Sequence, residues 1–212
     1  MKKNIYTEYK SEQLLKNFVS VADNQLVKNI KDIKLKKFPL VLKIISEDAL
    51  HKTEIGGVRI INKKEELEKN FNDLIKITKK KRLHLDGIMV QQYIKGYELI
   101  VGIKKDAVFG YIILLGTGGI YTEFIKDFSI RACPITLDDA ESMINDLKTK
   151  DILYGARGEK VNLSKLKKNL VNISLIPSKY KNIEELDINP LIVNKNDIVV
   201  ADARIVFETT PS

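Results

Sequence analysis

The sequence is poor in cysteine, in tryptophan and in long apolar runs. Cys133 is the single cysteine among 212 residues, and tryptophan is absent. One cysteine cannot form an intrachain disulfide or a thiolate zinc site, which favours a reducing compartment. No apolar run approaches the roughly 18 residues of a membrane-spanning helix, and no apolar segment follows the first four residues. We therefore expect a cytoplasmic protein without a membrane partner.

Four motifs of common enzyme classes are also missing. The sequence has no P-loop (G-x-x-x-x-G-K-S/T), no dinucleotide-binding G-x-G-x-x-G, no G-x-S-x-G and no H-E-x-x-H. Conventional P-loop, dinucleotide-binding, serine-hydrolase and zinc-protease classes therefore lose their main sequence support.

The sequence carries an excess of positive charge. Lysine and arginine total 36 against 28 acidic residues, a net charge of +8, and only five of the 36 are arginine. A basic surface can serve nucleic acid, an anionic membrane or a phosphate-bearing ligand. Single-strand binders interleave arginine with stacking aromatic residues, and that pattern is absent. We interpret the charge as a solvated lysine surface and expect no nucleic-acid partner.

Helical spacing occurs in several segments. The N-terminal thirty-odd residues are predicted to be helical, with Asp23 as the N-cap of a second short helix. Asn62 with Glu65 predicts a capping box at the start of the next helix, and Thr136 with Asp139 predicts another. A last helix is expected before the C-terminal strands.

Strand-like runs separate these helices. They are FPLVLKII, GVRIIN, GIMVQQYI, YELIVGI, AVFGYIILL, IEELDINPLIV and IVVADARIVF. A turn is expected at Lys105–Asp106, and a hairpin is predicted around Asn194–Asp197. Helices and strands mix without strict alternation, so the predicted class is α+β, with a loosely alternating α/β arrangement as the alternative.

The loop between the first two strand runs concentrates reactive residue types. Lys43 alternates with apolar neighbours, so it faces away from a core and would need an anionic partner if buried. Gly56 and Gly57 let the backbone approach a phosphate. His51 has an imidazole that can act as a nucleophile. An exposed strand lysine, an ordinary turn and a surface histidine remain alternatives.

The C-terminal hairpin offers oxygen ligands. Asp187 and Asn189 share one face of a strand, and Asp202 on the partner strand can lie across from them. Carboxylate and amide oxygens are the ligands that Mg²⁺ prefers. The alternative is a cap or turn network around Pro190.

Four blocks in order resemble a known family. FPLVLKIISEDALHKTEIGGVRI, GIMVQQYIKGYELIVGI, LGTGGIYTEFIKDFSIRACPIT, and ELDINPLIV followed by VADARI are similar to the ATP-grasp (beta) subunit of ADP-forming acetyl-CoA synthetases. The likeness runs from about Phe38 to Ile205. Succinyl-CoA synthetase beta subunits are similar more distantly. The resemblance implies one ATP-grasp domain over residues 1–212, in which two α+β lobes clamp a nucleotide. The smaller lobe would cover about 25–92, and the larger about 93–212 plus the N-terminal helix.

The resemblance also implies site residues. Nucleotide contacts would come from Lys43, Lys52, Gly56, Gly57, Gln91, Gln92, Tyr93, Ile94 and Glu98, metal contacts from Asn189 and Asp202, and catalytic groups from His51, Glu123 and Arg131. In this assignment His51 is transiently phosphorylated, Glu123 orients it, and Arg131 meets the incoming phosphate. A surface ion pair of Asp127 with Arg131 at i, i+4 is the alternative for that arginine.

The implied activity is that of one subunit of a ligase. Acyl-CoA, ADP and phosphate would give acid, CoA and ATP reversibly, with Mg²⁺ and ATP/ADP bound here and CoA bound by a separate alpha subunit in an α2β2 complex. Two rivals are an ATP-grasp ligase that forms an acyl phosphate directly and a non-catalytic nucleotide-sensing subunit.

Overall fold

The computed structural model describes residues 4–48, 55–119, 127–156 and 158–208. The chain divides into two compact units. The small unit is Ala22–Ile94, and the large unit comprises the described residues of Met1–Val21 and Lys95–Ser212. The clamping of a nucleotide by two lobes stays a prediction.

Strands and helices are mixed along both units, in agreement with the α+β class. The strands are β1 (Asn4–Ile5), β2 (Asn24–Val27), β3 (Leu40–Ile45), β4 (Val58–Ile61), β5 (Gly87–Gln92), β6 (Tyr97–Asp106), β7 (Gly110–Thr117), β8 (Phe128–Ala132), β9 (Ile183–Val193), β10 (Ile198–Val200) and β11 (Ala203–Phe207). The α-helices are α1 (Glu8–Leu15), α2 (Lys64–Lys81), α3 (Leu137–Asp146), α4 (Lys150–Leu153), α5 (Leu163–Ser174) and α6 (Ile176–Lys179), and Ile30–Asp32 forms a 3₁₀ turn.

The small unit is an antiparallel sheet covered by one helix. Its strand order is β2-β5-β3-β4. Leu40, Leu42 and Ile44 alternate along β3 and pack with Phe71 and Leu74 of α2 in one buried cluster. The other residues of β3 therefore point to the second face of this sheet.

Two sequence predictions in the small unit are wrong. The segment after Asp23 is not a helix, because Asn24–Val27 pairs with β5 as an edge strand. The capping box predicted from Asn62 and Glu65 does not form, because the N-cap of α2 is Lys63, which makes no side-chain cap hydrogen bond, and the backbone N–H of Asn62 donates to Oε2 of Glu66 at 3.0 Å. Sheet pairing of a short polar segment depends on a strand more than sixty residues away, which local spacing does not show.

The large unit is a seven-stranded sheet with helices on one face. The strand path is β1-β11-β9-β6-β7-β8, and β10 pairs with β9. Alternate residues such as Leu99, Val101, Ile113 and Leu115 belong to a buried cluster with helices α3 and α5. We call this side the helix-covered face. The residues between them lie on the second face of the large sheet.

Two local sequence predictions in the large unit are confirmed, and a third is shifted along the chain. Thr136 and Asp139 form the predicted capping box of α3. The predicted C-terminal hairpin is confirmed, with the side chain of Asn194 accepting two backbone N–H groups at its turn. The β6–β7 turn follows Asp106 instead of including Lys105, because the Asp106 carboxylate accepts the N–H groups of residues 108 and 109.

Within the part of the chain that the structure describes, no helix has the length and apolar character required to span a bilayer.

Candidate functional site

Lys43 lies buried in the middle of the small sheet. It sits on β3 opposite Val58 of β4 and Met89 of β5. Its neighbours Leu42 and Ile44 face the core, so Lys43 points to the second face, and only 6% of the residue is exposed. The alternative of an exposed strand lysine is therefore wrong. A buried ammonium group is stabilised by negative charge, which fits a phosphate ligand.

Gln91 lies on the same face of this sheet as Lys43. It pairs with Val41 on β3, two residues before Lys43, and is only 1% exposed. Gln92 points the other way, and its Nε2 donates to the carbonyl of Pro39 at 2.9 Å. Among the residues predicted to contact the nucleotide, Gln91 therefore lies on the same face as Lys43. The side-chain amide of Gln92 instead stabilises the end of β5. Tyr93 and Ile94 follow the strand, and their contacts with a nucleotide stay predictions.

The glycine turn before β4 is adjacent to this group. Gly56 has φ +71°, a conformation that favours glycine. The carbonyl of Gly57 accepts the N–H of Ile44 at 2.9 Å, which ties the turn to the strand of Lys43. The Arg59 guanidinium lies 3.4 Å from the position of a Cβ on Gly56. This turn therefore places a left-handed glycine beside the positive charge of Arg59. The predicted residues His51 and Lys52 lie outside the described residues.

In the large unit, Asn189 and Asp202 lie directly across from each other. The N–H of Asn189 donates to the carbonyl of Asp202 at 3.1 Å. Asp187 lies two residues before Asn189 and opposite Arg204. The pairing of β9 with β6 slips here, between Leu99 and Val101, so β9 bulges at Asn189. Asp187, Asn189 and Asp202 occur together on the second face, as the sequence predicts.

Charge at this hairpin is concentrated and partly desolvated. Burial raises the pKa of the Asp187 carboxyl; the positive charge of Arg204 opposes that shift, and Glu185 and Asp202 add to it. Arg204 also pairs with Glu185 at 2.9 Å. The neighbouring carboxylates of Asp187 and Asp202 favour a bound cation.

These residues fit Mg²⁺ as a partial shell. The described residues contain no group of three or more His, Cys, Asp and Glu side chains able to hold a metal. One or two carboxylates with an amide oxygen nevertheless match Mg²⁺, which usually takes its remaining ligands from water and substrate phosphates. The metal roles of Asn189 and Asp202 stay predictions.

Glu98 occupies the second face of the same sheet, on the neighbouring strand. It is exposed on β6, opposite Ile192 of β9. Its carbonyl accepts the N–H of Gly118 at 2.8 Å. A Cβ on Gly118 would lie 3.0 Å from backbone atoms of Glu98, so this turn requires glycine for its close approach.

Arg131 lies on the helix-covered face. One guanidinium nitrogen contacts Asp146 at 2.7 Å and Ser142 at 2.8 Å, both on α3, and the other contacts Ser129 at 3.1 Å. This is the opposite face of the sheet from Asn189. The predicted ion pair with Asp127 is wrong, because that carboxylate binds the chain after α3 instead. A catalytic role for Arg131 stays a prediction, and the predicted Glu123 lies outside the described residues.

Strand β8 was not predicted from the sequence pattern. In Phe128–Ala132 the polar residues Ser129 and Arg131 point to the helix-covered side, and Phe128 and Ile130 are exposed. Ordinary alternation would place the apolar residues inward. The partners that reverse this pattern come from α3, so local sequence carries no signal for them.

The chain is similar to proteins of one known family. A family model described as ATP-grasp domain matches residues 2–207. The beta subunit of acetate–CoA ligase (ADP-forming) I from Pyrococcus furiosus is 36% identical over 175 residues, covering 80% of this chain and 75% of that protein. Acetate–CoA ligase (ADP-forming) I from Archaeoglobus fulgidus is also 36% identical, over 80% of this chain. The chain spans only 25% of that protein.

Solved structures of one related enzyme share the fold. Acetyl-coenzyme A synthetase 1 of Ca. Korarchaeum cryptofilum, in complex with coenzyme A and Ca-AMPCP, matches with a TM-score of 0.91 and 32% identity, covering 96% of this chain and 93% of that one. The same enzyme with coenzyme A and Mg-AMPPCP, whose phosphohistidine segment points towards the nucleotide-binding site, matches with a TM-score of 0.84, at 31% identity over 95% and 92% of the two chains. From its matched length and these relatives, the chain belongs to the ATP-grasp family, together with the ADP-forming acetate–CoA ligases and their beta subunits.

Proposed function

We propose that this chain is the nucleotide-binding subunit of an ADP-forming acyl-CoA synthetase. It exchanges a phosphoryl group between ATP and His51, and the phosphohistidine then serves acyl-phosphate chemistry on a CoA-binding partner. The observation that carries the proposal is Lys43, a cation held almost fully buried on a sheet face that is not the apolar core. Such a residue suits the binding of a phosphate.

The positions of the other described residues support phosphoryl transfer. This reaction depends on positioning and on neutralising charge that spreads over the transferred group. Lys43 and the turn at Gly56 provide positive charge and backbone donors in the small unit. Asn189 and Asp202 provide oxygen ligands in the large unit. Bound Mg²⁺ would neutralise charge on the nucleotide phosphates.

The proposed step is a substitution at phosphorus. A ring nitrogen of neutral His51 attacks the γ-phosphorus of ATP, a nitrogen–phosphorus bond forms, and the bond to the bridging oxygen of ADP breaks. ADP leaves with that electron pair. The reverse step returns the phosphoryl group to ADP, which accounts for a reversible net reaction.

Labelling with ATP that is radioactive at its γ-phosphate tests this proposal. With Mg²⁺, the wild-type protein should acquire a protein-bound phosphate that is labile in acid and stable in base. His51→Ala should abolish the label. His84→Ala is the matched control, because His84 is a strongly exposed surface histidine and its loss should leave the label unchanged. Label that persists in His51→Ala would overturn the proposal.

Two alternatives predict other results. An ATP-grasp ligase that makes an acyl phosphate directly would keep full transfer in His51→Ala once the complex is reconstituted. A nucleotide-sensing subunit would bind ATP and never become labelled.

We further propose a cytoplasmic location and an α2β2 complex with a CoA-binding subunit. The single cysteine supports the location. The partner is supported by the lengths of the relatives, since the chain matches 75% of a separate beta subunit and 25% of a longer ligase. Light scattering of the co-expressed subunits should give two copies of each chain.

A further inference from the structure

We propose that Asp127 is a positioning residue, which holds the glycine turn at Gly118 against Glu98 and thereby sets the ribose contact of that glutamate. This inference rests on the proposed function, in which Glu98 lies near the ribose of the nucleotide. Asp127 itself would touch neither the nucleotide nor the metal.

The carboxylate of Asp127 is buried and fully engaged. Only 5% of the residue is exposed. Oδ1 accepts the backbone N–H of Lys148 at 2.7 Å, and Oδ2 accepts the backbone N–H of Thr149 at 3.0 Å and its hydroxyl at 2.7 Å. Burial alone would raise the pKa of Asp127, but these hydrogen bonds outweigh it and the pKa is lowered. The residue is therefore a charged anchor on the connection between α3 and α4.

The backbone of Asp127 transmits this anchorage to the glycine turn. Its carbonyl accepts the N–H of Thr117 at 3.1 Å, at the end of β7. The next residue, Gly118, donates its N–H to the carbonyl of Glu98 at 2.8 Å. Two hydrogen bonds and one peptide unit thus connect Asp127 to Glu98, all within the large unit.

The close steric fit at Gly118 makes the position of Glu98 sensitive to any movement of the glycine turn. A Cβ on Gly118 would already lie 3.0 Å from three backbone and Cβ atoms of Glu98. A turn packed this closely can move only together with the strand of Glu98. Because hydrogen bonds to a carboxylate are directional and stronger than neutral ones, Asp127 can fix this position more narrowly than an apolar contact would.

The test compares two ligands that differ by the nucleoside. ATP carries a ribose, and inorganic tripolyphosphate does not. Isothermal titration with Mg²⁺ should show ATP affinity reduced about tenfold in Asp127→Asn, the loss expected for one hydrogen bond to a charged group. Tripolyphosphate affinity should be unchanged. Glu98→Gln should give the same pattern.

A double variant distinguishes positioning from a general structural effect. If Asp127 acts through Glu98, the variant carrying both substitutions should bind ATP no more weakly than Glu98→Gln alone. Asp138→Asn, which changes an exposed carboxylate on α3, is the control and should bind both ligands normally. If Asp127→Asn does not fold, Thr149→Val removes only the hydroxyl bond and should give a smaller loss in the same direction.

The contrary outcomes separate this inference from the proposed function. Equal weakening of ATP and tripolyphosphate, additive effects in the double variant, or unchanged ATP affinity in Asp127→Asn would each overturn the positioning role. Unchanged affinity in Glu98→Gln would overturn it too, while leaving His51 labelling intact. A wild-type protein that binds no ATP would instead remove the proposed function itself.

Discussion

At the scale of single residues, side-chain direction distinguishes the candidates. Lys43 and Gln91 share the second face of the small sheet and are nearly inaccessible, although both are polar. Arg131 carries the charge expected of a phosphate ligand, yet it contacts Asp146 on the helix-covered side. Lys43 and Arg131 carry the same charge, but they lie on different sheets and on faces of different character. Substitutions at Lys43 and Arg131 should therefore have different effects.

Lys43→Met should weaken the binding of ATP about tenfold or more, because it removes a charged donor to phosphate while keeping side-chain length. Titration of ATP into the variant measures this. Lys69→Met, at an exposed position on α2, serves as the matched control and should bind as the wild type does. Equal affinity in Lys43→Met and wild type would exclude a phosphate contact.

Arg131→Gln should lower the free energy of unfolding by about 1 kcal/mol, a modest value because the ion pair with Asp146 is partly exposed to solvent. A role limited to this ion pair predicts that phosphohistidine labelling persists. Chemical denaturation gives the first quantity, and Asp146→Asn should produce a similar loss. A variant of normal stability that no longer labels would establish the catalytic role predicted from sequence.

At the scale of elements, the β9 hairpin brings the oxygen ligands together. Its register is continuous from the Asn194 turn to Asp202, since β10 and β11 pair with β9 on either side of the bulge. This register places Asn189 opposite Asp202. The metal prediction thus depends on one local element.

Asp202→Asn should raise the Mg²⁺ concentration needed for half-maximal labelling by roughly tenfold or more, because a carboxylate ligand is replaced by a neutral one. A Mg²⁺ titration of labelling measures this change. Asp197→Asn alters an exposed aspartate at the turn of the same hairpin and should leave the Mg²⁺ dependence intact. An identical dependence in Asp202→Asn would contradict the metal role.

At the scale of the whole molecule, the described carboxyl groups whose pKa is lowered all lie in the large unit. The described carboxyl groups with a lowered pKa are Asp106, Asp127, Asp139 and Asp146. All four belong to that unit. Hydrogen bonds favour their charged forms in the folded state, so their contribution to stability is present above the unfolded pKa of 3.8 and is lost as pH falls through the lower folded value.

Asp127→Asn should accordingly destabilise the protein at neutral pH and make little difference in strong acid. The measurement is the free energy of unfolding of both proteins between pH 7 and about pH 2. Their difference should shrink as the wild-type carboxylate becomes protonated. A difference that stays constant with pH would show that the charge of Asp127 does not contribute.

The sequence predicted the parts of the candidate site that depend on local pattern. The D-x-N strand with its antiparallel partner led directly to the grouping of Asp187, Asn189 and Asp202. Alternation along β3 predicted that Lys43 faces away from the core. The helix expected after Asp23 was wrong because pairing with β5 overrides weak local spacing.

What the sequence by itself determined is the α+β class, the C-terminal hairpin and the direction of Lys43, because strand alternation and turn residues are encoded within a few positions. Only the tertiary structure decided that Lys43 is buried, that Arg131 belongs to the helix-covered face and that Asp127 joins β8 to the chain after α3. These properties depend on partners distant in sequence, such as Asp146 and Thr149, whose proximity arises only when the sheet and its helices pack.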